Sequence, residues 1–121
     1  MRRLGLLFSV LFLFGCAAGG TVASGSSPQY TIDTTIQAAL INDNVAISAS
    51  FTPAAQQIYQ PFFSDPDKMR EFGDSLSRTE QIERMDSFAV YKSTFARNGV
   101  AYTYFIYMVK DENGNWKFDR F

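Results

Sequence analysis

The sequence predicts an α+β domain: N-terminal helices packed on an antiparallel β-meander of three to four strands. Three observations carry this. Two threonine- or aspartate-then-proline steps open helical segments within residues 52–76. From Ile82 the apolar period shifts to two, the period of a strand. An Asn98-Gly99 step then separates two long alternating runs, the strongest short hairpin signal. Helices first and strands afterwards is the α+β order. With 121 residues, 46% hydrophobic and 19% charged, the chain holds one globular domain and a tail.

The tail comes first. Arg2 and Arg3 form a basic start, and Leu4 to Phe14 is an apolar run interrupted only by Gly5 and Ser9. A run of this length is too short for a bilayer, which takes about 20 apolar residues, and matches the hydrophobic region of a secretory signal. Its end, Leu13-Phe14-Gly15-Cys16, resembles the lipobox of bacterial lipoproteins: an aliphatic residue at minus three, a small one at minus one, then the cysteine to be acylated. Phe14 is bulkier than the usual residue at minus two. The resemblance implies a signal peptide over residues 1–15 and a membrane anchor on lipidated Cys16. Several acyl chains on one residue hold more firmly than the single chain that binds marginally. Residues 16–29, which include AAGGTVASGSSP, read as a flexible small-residue tether, and the domain as residues 30–121. With Ala17 rather than aspartate after the cysteine, the lipobox resemblance implies the bacterial cell envelope, at the outer membrane facing the periplasm.

Several chemistries are excluded by composition. There is no histidine, which removes His-based triads, general bases and most zinc sites. Cys16 is the only cysteine, so no intramolecular disulfide or Cys-rich cluster forms. Removing Arg2 and Arg3 from 11 basic residues leaves nine against 12 acidic ones, a mixed net charge of −3. Without a basic stripe, nucleic acid is not an expected partner.

Along the domain, Thr31 and Asp33 are candidate N-caps for a short helix with Ile36, Ala39 and Leu40 on one side. Asn42-Asp43-Asn44 breaks it, and Val45, Ile47 and Phe51 mark a second short turn or helix. Thr52-Pro53 opens the next, followed at helical spacing by Ile58, Tyr59, Phe62 and Phe63, with Pro61 kinking or ending it. Ser64-Asp65-Pro66 repeats the device and opens a helix with Met69, Phe72 and Leu76 on one face. The charge alternation of Arg78 to Arg84 reads as a solvated helix end or strand entry.

Around Asn98-Gly99, a two-residue type I′ loop pairs Phe95 with Tyr102, Tyr91 with Ile106 and Ala89 with Met108. One face then gathers Ala89, Tyr91, Phe95, Tyr102, Tyr104, Ile106 and Met108. The other gathers Phe88, Val90, Lys92, Thr94, Thr103, Phe105, Tyr107 and Val109. A second turn around Asn113-Gly114 returns the chain as Trp116 to Phe121. A three-residue loop sets Met108 opposite Phe118 and Lys110 opposite Trp116. The two-residue alternative opposes Lys110 to Lys117, a like-charge pair, so the three-residue loop is preferred. Trp116 is expected on the helix-covered face near Met108 and Phe62 or Phe72.

Phe51-Thr52-Pro53, Ala89 and the run Lys110 through Phe118 make the domain similar to small lipoproteins of the nuclear transport factor 2-like (cystatin-like) superfamily. That resemblance implies a strongly curved, cone-shaped antiparallel sheet wrapped around helices, with a pocket at the open end. Some members are isomerases or dehydratases and others are binding modules, so fold does not decide function. The dehydratase chemistry leans on histidine, and an isomerase needs a carboxylate base in an apolar pocket. Asp86, Asp111 and Asp119 all fall at strand ends or turns. Asp65-Asp67 and Asp111-Glu112-Asn113 have plainer roles as cap and turn than as metal ligands. The expected function is a membrane-anchored, non-catalytic binding or interaction module without cofactor or metal, with a small-molecule isomerase or dehydratase as the alternative. Candidate pocket-lining residues are Tyr91, Phe95, Tyr102 and Tyr104, for a small molecule of unknown identity. The apolar outer face, Phe88, Val90, Phe105, Tyr107 and Val109, is a candidate interface for a homodimer.

Overall fold

The computed structural model describes residues 27–121. The signal, the lipobox with Cys16 and most of the tether lie outside the described residues. Among those described, no helix is long and apolar enough to cross a membrane.

Among the described residues, five helices precede four strands. Helix α1 (Pro28–Leu40) starts earlier than Tyr30, because Ser27-Pro28 is a third cap-then-proline step: the Ser27 hydroxyl accepts from the Tyr30 amide at 3.1 Å. Thr31 and Asp33 are therefore inside the helix and cap nothing. Thr31 is buried instead, its hydroxyl donating to the Trp116 carbonyl at 2.8 Å. The buried stripe runs through Ile32, Thr35, Ala38 and Ala39, which leaves Leu40 facing water. Asn42, at φ 55°, turns the chain out of α1, and Asp43 caps α2 (Asn44–Ala49).

Thr52 caps α3 (Pro53–Ile58), which stops before Tyr59; Pro61 lies in the separate single turn α4 (Gln60–Phe63). Asp65 caps α5 (Pro66–Leu76) by accepting from the Asp67 and Lys68 amides. Met69, Phe72 and Leu76 of α5 are buried as the spacing requires. Helices α1 and α5 cross at Gly73, where any Cβ would collide with that of Ala39.

Strands β1 (Thr79–Arg84), β2 (Phe88–Arg97), β3 (Val100–Lys110) and β4 (Trp116–Arg120) form one antiparallel meander in that order. The β2–β3 register is the one the Asn98-Gly99 loop dictates, with Phe95 opposite Tyr102, Tyr91 opposite Ile106 and Ala89 opposite Met108. Asn98 and Gly99 both have positive φ, 54° and 79°, as a type I′ turn demands. Between β3 and β4, Met108 faces Phe118 and Lys110 faces Trp116. The loop is held by Asp111: its backbone pairs with Asn115, and its carboxylate accepts from the Asn113 and Asn115 amides.

Of the Arg78–Arg84 charge run, all but Arg78 forms strand β1, a bulged and exposed edge. Charges at an edge discourage further strand pairing. The other edge is covered. Phe51 bridges Phe118 in parallel, the Thr52 amide donating to the Phe118 carbonyl at 2.9 Å and the Phe118 amide to the Ser50 carbonyl at 2.8 Å.

Trp116 is 1% exposed, on the helix-covered face. It does not pack on Phe62 or Phe72, because Phe118, two residues on and on the same face, takes the place against Phe72 at 5.4 Å. Trp116 lies under α1 instead, with the Arg84 guanidinium 4.9 Å and the Lys110 ammonium 5.7 Å from its ring.

Candidate functional site

Pairing explains where the fold opens. Strand β1 reaches only to Ser93 of β2, and β4 only to Tyr107 of β3. Beyond those points the β2–β3 hairpin runs on as a two-stranded ribbon, flanked on neither side by another strand among the described residues. Helix α5 faces this extension. Lys68, Glu71, Phe72 and Ser75, spaced i, i+3, i+4 and i+7, share one side of the helix. Between them and Phe95, Arg97 and Tyr104 of the hairpin is a cavity of about 360 Å³, walled at the back by Phe62 and Phe121. That is the lower end of the range for small-molecule sites, and the mixture of apolar walls with a few polar groups is their usual character. A wider groove of about 600 Å³ over α2 and α3 is lined by residues of the helices and their turns, with Asn44, Ser48, Gln56, Gln57, Gln60 and Ser64 as its polar groups and none from the sheet.

The floor of the cavity is a chain of hydroxyls. The Ser75 hydroxyl donates to the Phe72 carbonyl at 2.8 Å, which leaves its oxygen to accept from the Tyr104 phenol. Ser93, fully buried, donates to the Ser75 carbonyl at 2.8 Å. All three protons are thus engaged within the protein. Burial pushes the Tyr104 phenol above its ordinary value, reinforced by the Glu71 carboxylate. At the rim Arg97 pairs with Glu71 at 2.5 Å, both side chains about half exposed. An exposed pair of this kind adds little stability. It does fix where charge stands around the opening.

Of the four candidate lining residues, Phe95 and Tyr104 line the cavity, and Tyr91 and Tyr102 do not. Tyr91 is on the same face but four residues from Phe95, about 13 Å along the strand. It is buried at the far end, its hydroxyl donating to Gln81 at 3.0 Å. Burial raises the Tyr91 phenol as well, against the nearby Arg84. Tyr102 is 47% exposed and stacks on Phe95 from the projecting ribbon, ring centroids 5.7 Å apart. Strand periodicity alone could have placed Ser93 between Tyr91 and Phe95 on the inner face. Lys68 and Glu71 flank the buried stripe of α5, to which Ser75 belongs, and nothing in their local sequence separates them from a solvated face.

The outer-face residues do share one side of the sheet. Phe88 stacks on Tyr107 at 6.3 Å, Val90 is buried, Val109 is half-buried and Phe105 is 42% exposed. The Arg120 guanidinium covers Tyr107 at 4.3 Å from its ring. Among the described residues no group of three or more His, Cys, Asp or Glu side chains is placed to hold a metal ion, and no carboxylate is among the buried polar groups. Comparison with family models, with curated proteins and with solved structures found no match.

A raised tyrosine value has a definite consequence for stability. Between the ordinary value near 10.0 and the higher native value, the unfolded chain binds fewer protons than the folded one. Stability is therefore complete below pH ~10 and declines as pH rises through that window. Tyr104→Phe should flatten the decline while lowering stability at neutral pH by about 1 kcal/mol for the lost hydrogen bond. Urea midpoints between about pH 8 and 11 check this; an unchanged slope in the variant would show that Tyr104 is not the group kept neutral.

Proposed function

We propose that this chain is a membrane-tethered binding module of the bacterial cell envelope, anchored through lipidated Cys16 and holding a small molecule in the cavity between α5 and the β2–β3 hairpin. The outer membrane, periplasmic side, is the proposed location, and the curved nuclear transport factor 2-like cone the proposed fold. In keeping with a curved sheet, the Arg84 side chain of one edge strand reaches the Trp116 ring of the other. The small-residue tether after Cys16 suits a domain held a short distance from a lipid surface.

The observation that carries the binding reading is the closed hydroxyl chain of Tyr104, Ser75 and Phe72. Isomerase-type chemistry needs a free donor aimed at the developing oxyanion and a carboxylate base held in an apolar site. The phenol and serine protons here are directed at the protein's own oxygens. The nearest carboxylate, Glu71, stands at the solvent-exposed rim in an ion pair with Arg97. Such a cavity is furnished to hold a ligand more than to transform one.

Two measurements test the two halves of this reading. Labelled fatty acid should enter the wild-type protein in a lipoprotein-processing host and be absent from Cys16→Ser; equal labelling contradicts the anchor. In ¹⁵N spectra of the purified chain, small aromatic fragments should shift the amides of Ser75, Phe95 and Tyr104. Shifts gathered on another surface, or none with any fragment, contradict the site.

A further inference from the structure

We infer that the cavity's ligand is a small aromatic carboxylate, bound ring inward with its carboxylate at Lys68; this rests on reading the α5–hairpin cavity as a ligand site. The walls select the body of the ligand. Phe62, Phe72, Phe95, Tyr104 and Phe121 all border the space. Rings arranged around a cavity favour another flat ring, through offset stacking or edge-to-face contact. The same aromatic walls also suit an organic cation, so charge has to decide.

Two observations decide against the cation. Glu71 is paired with Arg97, while Lys68 has no ion-pair partner among the described residues, so the rim carries one positive charge in excess. The Arg97 guanidinium already stands 5.7 Å from the Phe95 ring, so an organic cation approaching that wall would meet a like charge.

The floor sets the orientation. With the Ser75 and Tyr104 protons engaged, the inner end presents oxygen lone pairs, which repel a carboxylate. The anionic head therefore points outward. Lys68 and Ser75 are seven residues apart on one side of α5, about 10 Å along the helix axis. A single ring with a two- or three-atom acidic arm fits that span.

The test compares 3-phenylpropanoate with its neutral amide and with 3-phenylpropylamine, by titrating the ¹⁵N-labelled purified chain at neutral pH. The acid should bind about threefold more tightly than the amide, the scale of one partly exposed charge contact, and the amine most weakly. Lys68→Met should abolish the acid's preference over the amide, with the dispersion of the variant's ¹⁵N spectrum reporting that it is folded. Equal binding of acid and amide, or an acid preference that survives Lys68→Met, overturns the ligand class and leaves the cavity standing. If none of the three perturbs Ser75 or Tyr104, both the cavity reading and this inference fall.

Discussion

The arrangement depends on Phe51 and its partner Phe118. Phe51 is 1% exposed and belongs to no helix; it is the short extended step between α2 and α3. Its neighbours on either side, Ser50 and Thr52, hydrogen-bond the backbone of Phe118, so the helical half of the chain is joined directly to the last strand. The Phe51 ring then meets Phe63, Phe72, Phe118 and Tyr59 at centroid distances of 5.0 to 5.8 Å. Full burial of one such side chain contributes roughly 1.5–3 kcal/mol, and the ring contacts add to it. One residue thereby covers a strand edge that would otherwise be open to pairing and fills the centre of the core.

The cavity is the outer layer of the same aromatic cluster. Phe72 packs on Phe51 on one side and on Phe121 and Phe62 on the other, with centroids 4.7 and 5.7 Å apart. Phe121 in turn approaches Tyr104 of the hairpin at 6.1 Å. The walls that face the proposed ligand are thus the backs of rings whose fronts form the core. Such walls are positioned by close packing and not by flexible loops, which favours a preformed site and a lower ordering cost on binding. The hydroxyl chain beneath them adds a fixed polar floor without leaving an unpaired donor there.

Strong local signals made much of the fold legible. Asn98-Gly99 fixed the β2–β3 register to the residue, and the like-charge argument at Lys110 selected the loop that the structure has. Proline after a capping residue marked the starts of α3 and α5. The same device at Ser27-Pro28 is masked by its setting in a small-residue tether, which leaves Thr31 as the apparent cap although its hydroxyl serves Trp116. The site was harder to see. A face of a strand is readable from alternation, but how far a helix extends over that face is a tertiary fact. Tyr91 and Tyr102 therefore looked equivalent to Phe95 and Tyr104. Lys68, Glu71 and Arg97 acquire meaning only once α5 is set against the hairpin, because a solvated charge and a charge at the mouth of a cavity have the same local sequence.

If the Phe51–Phe118 junction holds helices and sheet as one unit, it opens only when the whole domain does. Native-state hydrogen exchange tests this at the Thr52 and Phe118 amides, whose acceptors are the carbonyls of Phe118 and Ser50. Both amides should exchange with the free energy of global unfolding, equal to that of the Ile106 and Met108 amides at the centre of the sheet. Exchange of Thr52 and Phe118 through a cheaper, local opening, while the β2–β3 ladder stays protected, would contradict the account.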